Sequence, residues 1–269
     1  LDETDRVWDE LKPLYDALHC HVRDELSNFY GENIVSKTGN LPAHVLGNMW
    51  GQSWANIYDL VYTVESNQSS SEINLTNILI EKDIKEVEMV KIAEKFFISL
   101  GFEPLSDTFW ERSLFVKPQD RDVVCHASAW DIDSDIDDLR IKMCIERNAE
   151  DFSVIHHELG HIFYYQAYSD LPDIFQRGAN DGFHEAVGDL LSLSITPKYL
   201  QKIGMITAEE AARANSDPIS LLMKQALDGV VSVPWTLMLD KWRAKVFSGE
   251  TSPDELNNSW WELRKFYQG

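Results

Sequence analysis

The strongest constraint in this sequence is the segment 154–161, Val-Ile-His-His-Glu-Leu-Gly-His, which contains the pattern His-Glu-x-x-His. On a helix, His157 and His161 would lie one turn apart on the same face, so both imidazoles could reach one tetrahedral zinc ion. His156 cannot replace His157, because a glycine lies four residues after it. Glu158 would lie beside the metal, where it can accept a proton from water. The pattern predicts a zinc site with Glu158 as its base.

The surrounding residues predict a helix over 151–168. Asp151 or Ser153 is expected to cap its N-terminus, where acidic residues suit the positive end of the helix dipole. Apolar residues recur at helical spacing through the segment, and Pro172 follows its end. The competing interpretation is a buried helix whose two histidines only form hydrogen bonds within a core. Further ligands are therefore needed to support the metal site.

A catalytic zinc usually has three protein ligands and one position for water. A third His six residues after the second is excluded, because that position is Ala167. Residues 183–194 indicate a helix with Glu185 and Asp189 on one face. If Glu185 binds the metal, Asp189 can orient a ligating imidazole by accepting its second ring N–H. His184 is the competing ligand, and a helix with a solvated acidic face is the alternative for the whole segment.

These residues predict metal-assisted hydrolysis of a peptide bond. Glu158 would take a proton from a water that the zinc ion acidifies, and the resulting hydroxide would attack a carbonyl polarised by the metal. Glu158 would then pass the proton to the leaving amine.

Composition limits the partners. Hydrophobic residues make up 44% of 269 residues, which predicts a sizeable core. The net charge of −21 repels phosphate backbones, so no nucleic-acid partner is expected. No apolar run is long enough to span a membrane, so we expect no transmembrane segment in this chain.

Three Asn-x-Ser/Thr triplets begin at Asn67, Asn74 and Asn257. The first two lie in a Ser- and Asn-rich segment, 63–76, that is expected to be a surface loop where glycans fit. These triplets favour an extracellular glycoprotein, either secreted or the ectodomain of a membrane-anchored protein.

Hydrophobic periodicity predicts a mostly α protein. The expected helices cover residues 5–30, 43–62, 87–100, 151–168, 183–194, 197–203, 207–213, 217–228, 234–247 and 253–266. Pro13 could kink the first of them or mark a later start.

Three short alternating segments predict a small antiparallel sheet, at residues 113–116, 122–127 and 139–144. Residues 131–138 are expected to form an acidic turn between two of these strands. Cys125 and Cys144 would then lie on neighbouring strands, where a disulfide could form. Cys20 would remain as a buried thiol or an intermolecular link.

Several segments together resemble the angiotensin-converting enzyme family of zinc peptidyl-dipeptidases. They are residues 125–131 (Cys-His-Ala-Ser-Ala-Trp-Asp), 156–161, 177–180 (Arg-Gly-Ala-Asn), 182–186 (Gly-Phe-His-Glu-Ala), 41–44 (Leu-Pro-Ala-His), 47–50 (Gly-Asn-Met-Trp) and 246–249 (Val-Phe-Ser-Gly). The resemblance extends over almost the whole chain. It implies a mostly helical zinc peptidase of the gluzincin type, with a small antiparallel β-sheet beside the active-site helix.

The resemblance also implies roles for the residues of the motif. Zinc would be bound by His157, His161 and Glu185, with Glu158 as the base and Asp189 behind a ligating imidazole.

Further site residues follow from the same resemblance. Gln52 matches the glutamine that holds the C-terminal carboxylate of the substrate. His126 and Ala127 match residues that form hydrogen bonds with the substrate backbone. Trp260 and Arg264 match residues of a chloride site that tunes activity, so chloride is a second expected ligand.

The family removes dipeptides from the C-termini of oligopeptides, which are therefore the expected substrates. Cys125 and Cys144 match a family disulfide. The family domain is longer than this chain, so residues 1–269 are expected to be a single partial peptidase domain, truncated at both ends. Because the family's oxyanion-stabilising residues would lie downstream, a second hypothesis is an impaired, zinc-retaining homologue that binds peptides or a protein.

Overall fold

The computed structural model describes residues 2–47, 50–62, 73–215 and 217–269. The chain divides into two compact units, a first unit of Leu1–Ser71 with Ser216–Gly269 and a second unit of Glu72–Asn215. Helices make up 64% of the chain and are accompanied by one two-stranded sheet, which confirms the mostly α class. The glycosylation triplet at Asn67 and two residues of the 47–50 segment lie outside the described residues.

The described residues of the first unit form helices joined by turns and loops, with no strand among them. Its α-helices are α1 (Asp2–Tyr30), α2 (Tyr58–Val61), α10 (Pro218–Gln225), α11 (Val231–Phe247) and α12 (Leu256–Gln268). Short 3₁₀ turns occupy Ala43–Val45, Ala55–Ile57 and Pro253–Glu255. The core of this unit includes the fully buried side chains of Val22, Leu26, Trp54, Leu227 and Val231.

Three expectations for the first unit are wrong. Residues 43–62 do not form one helix, because Gly47 and Gly51 adopt positive φ angles of 98° and 64°, which interrupt helical geometry. The expected break between residues 228 and 234 is absent, since a π-helical turn, Ala226–Val230, joins α10 to α11. This wider turn lies next to Pro234, which has no N–H to donate. The first helix begins well before Pro13, so a later start is also excluded.

The second unit carries the remaining elements. They are α3 (Leu75–Glu81), α4 (Glu86–Ser99), α5 (Asp107–Arg112), β1 (Ser128–Asp133), β2 (Asp138–Lys142), α6 (Ala149–Tyr168), α7 (Asp181–Ser192), α8 (Pro197–Lys202) and α9 (Ala208–Asn215). Helix α6 runs through its core, where Phe163 stacks on Phe97 of α4 at 4.4 Å between ring centroids. The periodicity did not predict α3 and α5, and the expected loop 63–76 overlaps the start of α3.

The sheet differs from its sequence prediction. Strands β1 and β2 pair antiparallel, with Ser128 opposite Lys142. The expected strand 122–127 is not a strand, and the segment 131–138, which was expected to be an acidic turn, has residues 131–133 in β1 and residue 138 in β2. One reason is that Arg140 donates to the buried carboxylate of Asp138 at 2.7 Å, so an acidic residue is stabilised within the hairpin. Residues 113–116 contribute only an isolated bridge, between Leu114 and Lys142.

The predicted disulfide is present. Cys125 precedes β1 and Cys144 follows β2, and their Cα atoms are 5.1 Å apart. The bond therefore joins the open ends of the hairpin rather than two paired strand residues. Cys20 is an exposed free thiol, so of the two alternatives for it the buried thiol is wrong. Among the helices that the structure describes, none has the length and apolar character of a bilayer span.

Candidate metal centre

Helix α6 presents the residues of the His-Glu-x-x-His pattern. Its N-terminus is capped by Asn148, whose side chain accepts a hydrogen bond from the backbone N–H of Asp151 at 2.7 Å. The expected caps are wrong, since Asp151 instead accepts from the backbone N–H of Glu146 at 2.6 Å. The helix then continues to Tyr168, which keeps the two histidines of the pattern on one face.

Helix α7 lies against α6 and supplies the acidic side chains. Asn180 caps it by accepting from the backbone N–H of Phe183 at 2.6 Å. The two helices approach at Gly160 and Gly188, where a Cβ on Gly160 would lie 3.0 Å from the Cα of Gly188. A Cβ on Gly188 would lie 2.8 Å from Nδ1 of His157. The absence of both side chains therefore lets the carboxylates of α7 reach the imidazoles of α6.

Three donor atoms converge between the helices. The Nε2 atoms of His157 and His161 are 3.0 Å apart, and Glu185 Oε2 lies 3.2 Å from the first and 3.7 Å from the second. Bond lengths of about 2.0–2.1 Å to a tetrahedral zinc ion would place ligand atoms about 3.3 Å apart. The three side chains therefore fit a zinc ion, and they form the one such group found in the described part of the chain.

The protonation states also suit a metal. Burial is the largest cause lowering the pKa of His161, and the neighbouring His157 lowers it further. A neutral imidazole is the form that binds a metal. His157 Nδ1 lies 3.0 Å from Asp189 Oδ1, so the carboxylate can accept its N–H and direct Nε2 towards Glu185.

The sequence left His184 as the competing third ligand. Its ring lies on the opposite side of His161 from the three donor atoms, with Nδ1 2.7 Å from His161 Nδ1. Glu185, whose side chain is 66% exposed, faces the donor group instead. The choice between them follows from the direction of each side chain on α7, which sequence spacing did not give.

Glu158 lies beside this group and is almost fully buried. Its Oε2 has no hydrogen-bond partner among the described residues. Burial is the largest cause raising the pKa of Glu158; His157 opposes the rise, and the charge of Glu185 adds to it. A buried carboxylate with an unpaired oxygen and a raised pKa has the properties of a general base.

An open groove passes the donor group on both sides. One cavity of about 490 Å³ includes Tyr165 and the three donor residues, and another of about 480 Å³ includes Val154 and the disulfide. Both are lined by His126, Ala127 and Glu158. The structure therefore brings the two expected backbone-binding residues to the same groove as the expected base. No feature of the sequence predicted that the groove extends in both directions.

The other expected site residues belong to the first unit. Gln52 has a buried Oε1 without a hydrogen-bond partner in the described ranges. Arg264 lines a small cavity of about 170 Å³ together with Trp54 and lies over the rings of Trp235 and Trp261. Burial is the largest cause lowering its pKa.

Trp260 packs edge-on against Trp235 and Trp242 and does not line that cavity. Of the two residues expected at a chloride site, only Arg264 faces the open space.

Comparison with known proteins accounts for these features together. Residues 1–269 match the family model described as "Angiotensin-converting enzyme". The chain is 44% identical to angiotensin-converting enzyme of Bos taurus and 45% identical to that of Oryctolagus cuniculus, over 100% and 99% of its length. It is 40% identical to the enzyme of Haematobia irritans exigua over 100% of its length. It spans 20% of each mammalian relative and 43% of the fly relative. The chain therefore belongs to the angiotensin-converting enzyme family of metallopeptidases.

Proposed function

We propose that this chain provides the zinc-binding part of a peptidyl-dipeptidase, which hydrolyses peptide bonds and releases C-terminal dipeptides from oligopeptides. One observation carries the proposal: the donor atoms of His157, His161 and Glu185 converge beside the buried, unpaired oxygen of Glu158. Because the family model matches residues 1–269 across both units, we propose that the units are parts of one peptidase domain.

His157, His161 and Glu185 would hold the ion. Zinc, when bound, supplies the charge that acidifies water and polarises the scissile carbonyl. Glu158 accepts the proton of the attacking water at its unpaired Oε2 and later donates it to the leaving nitrogen. The raised pKa of Glu158 suits both steps, because it lies closer to neutral pH than that of an exposed carboxyl.

The groove supports an extended peptide as the substrate. The cavities on either side of Glu158 leave room for residues before and after the scissile bond. His126 and Ala127 are proposed to bind the substrate backbone in this groove, since both line the two cavities. Gln52 is proposed to bind the substrate carboxylate through its side-chain amide N–H₂, which can donate hydrogen bonds to a carboxylate oxygen.

Arg264, with Trp260 beside it in α12, is proposed to hold a chloride ion. The guanidinium has no acidic partner among the described residues. Its burial lowers its pKa, which means that its positive charge is poorly compensated there. A small anion in the adjoining cavity would compensate the charge.

An extracellular location is proposed for the chain. The disulfide is typical of oxidising compartments. Asn74 is exposed, and its cap bond to Asn77 N–H uses Oδ1, so its amide nitrogen is left for a glycan. Asn257 is exposed as well, whereas the hydroxyl of Ser259 in its triplet already accepts from Trp242. Asn67 remains a proposed site on its sequence alone.

The function is tested with a blocked tripeptide and two variants of the chain. Glu158→Gln is expected to abolish hydrolysis while the protein keeps zinc, because the amide cannot accept the proton. Glu209→Gln is the matched control, since Glu209 is exposed in α9, away from the groove, and its rate should equal that of the unaltered chain. Metal content is measured on each sample after dialysis.

The outcomes separate the hypotheses. A chain that holds less than one zinc per molecule contradicts the ligand set. Stoichiometric zinc without any hydrolysis by the unaltered chain would favour the impaired homologue that only binds peptides. Hydrolysis that survives in the Glu158→Gln variant would exclude Glu158 as the base.

A further inference from the structure

The sequence left His184 as a possible metal ligand, but its position in the structure is not that of a ligand. It lies in the first turns of α7, next to Glu185, yet its imidazole turns towards the far side of His161. The Nδ1 atoms of the two rings are 2.7 Å apart, and the ring centroids are 4.9 Å apart. This distance requires a hydrogen bond, with one nitrogen as donor and the other as acceptor.

The ring of His184 is held by its surroundings. Tyr164 and Tyr165 lie at 4.7 and 4.8 Å between ring centroids, and the hydroxyl of Tyr168 is 3.5 Å from Nε2. On a further side, a Cβ on Gly178 would lie 2.9 Å from Cδ2 of His184. The glycine and three tyrosines therefore leave space for the imidazole and fix the direction of its Nδ1.

The direction of the hydrogen bond follows from the donor group. If Nε2 of His161 is a metal ligand, its proton must be on Nδ1, which then donates. His184 must accept at Nδ1, and so it is neutral with its own proton on Nε2. The hydroxyl of Tyr168 lies on that side. The two ligating histidines therefore have different acceptors behind them: the carboxylate of Asp189 for His157, and a neutral imidazole for His161.

We propose that His184 is a positioning residue, which accepts the Nδ1–H of His161 and holds its Nε2 towards the donor group. The inference rests on the proposed zinc function of the site. A neutral acceptor has a physical advantage here, because Glu158, Glu185 and Asp189 already place three carboxylates around one divalent cation. A fourth carboxylate behind His161 would add repulsion among them.

The test compares two substitutions of similar size in the full chain. His184→Asn keeps an oxygen at the position of Nδ1, where it can accept the Nδ1–H of His161, whereas His184→Leu has the same shape without any acceptor. Zinc dissociation constants are measured by competition with a chelator. The visible absorption spectrum of the cobalt-substituted protein reports the ligand geometry. His44→Leu, at an exposed histidine of the first unit, is the matched control.

We expect His184→Leu to weaken zinc binding about 10–100-fold and to change the cobalt spectrum, as losses of such supporting hydrogen bonds do. His184→Asn should bind zinc within a few-fold of the unaltered chain, and His44→Leu should match the unaltered chain. Circular dichroism checks that all variants are folded. If the Leu variant is unfolded, weak zinc binding by a folded Asn variant would overturn the inference, and near-normal binding would support it.

Two results separate this inference from the function on which it rests. A chain that binds no zinc overturns both. Normal zinc binding by the unaltered chain together with equal affinity and an unchanged cobalt spectrum in His184→Leu overturns the role of His184 alone.

Discussion

At the scale of single residues, the candidate metal centre depends on two glycines, which have no side chain. Gly160 and Gly188 set how closely α6 and α7 approach, and the ring of His157 lies where a Cβ of Gly188 would project. Glycine in a helix interior costs about 1 kcal/mol relative to alanine, so helical propensity does not favour it. Its presence is explained by the space that the imidazole and the neighbouring helix require.

Gly188→Ala is therefore expected to displace His157 and weaken zinc binding about 10–100-fold, as other disturbances of ligand orientation do. The helix itself should be unaffected or slightly more stable. The measurement is a chelator competition with Gly229→Ala as control, because a Cβ on Gly229 would meet no atom within 4 Å. Equal zinc affinity in both variants would show that His157 can move without loss.

At the scale of elements, one face of α6 carries the donor histidines and another face packs into the core. His157 and His161 point to α7, whereas His156 points into the core, where its Nδ1 is 2.8 Å from the carbonyl oxygen of Phe152. Its Nε2 is 3.1 Å from the hydroxyl of Tyr199 in α8. Burial lowers the pKa of His156 to about 4 from an ordinary value of 6.5. This histidine is a structural part of the helix that also carries the proposed zinc ligands.

The lowered pKa predicts a stability that depends on pH. Below about pH 6.5 the unfolded chain takes up a proton at His156 that the folded chain does not bind until about pH 4. Stability must therefore fall as the pH drops through this window, by about 2.5 kcal/mol at pH 4.5 for this group alone.

His156→Gln should remove that part of the decline. Urea unfolding at pH 7 and pH 4.5, with chelator present, measures it. His44→Gln serves as the exposed control. A decline in His156→Gln as steep as in the unaltered chain would contradict the assignment.

The sequence predicted most of the helices and the face of α6 that carries the donor histidines, because apolar spacing and the His-Glu-x-x-His pattern are local properties. It missed α3 and α5, which are short, and it placed β1 too early. The strand carries Asp131 and Asp133 in an acidic segment, and ion pairing of Asp138 with Arg140 is not visible from local alternation. For the same reason the role of His184 was not predicted, since it depends on which way α7 turns its side chains.

At the scale of the whole molecule, the two units have separate cores. All buried residues of one core lie in the range from Leu75 to Ala211. The buried residues of the other core lie in two ranges, one that ends at Val61 and one that begins at Leu227. All three donor residues, Glu158 and the disulfide belong to the unit Glu72–Asn215, which is continuous in the chain.

Residues 72–215 alone are therefore expected to fold and to bind one zinc ion. The reason is that the core, the disulfide and the donor group of this unit are all contained in the segment. Metal analysis of the purified segment is the measurement, with His161→Ala in the same segment as control. If the segment loses zinc while the full chain retains it, the unit does not sustain the site by itself.

One unit is a single segment of the chain and the other consists of two segments. This difference affects the order in which they can fold during synthesis on the ribosome. The unit Glu72–Asn215 has all its residues once residue 215 has been released, whereas the first unit needs its C-terminal segment as well. Domains tend to fold as their chain emerges. The unit Glu72–Asn215 is thus expected to mature early, while α1 waits for residues 216–269, which are translated after that unit.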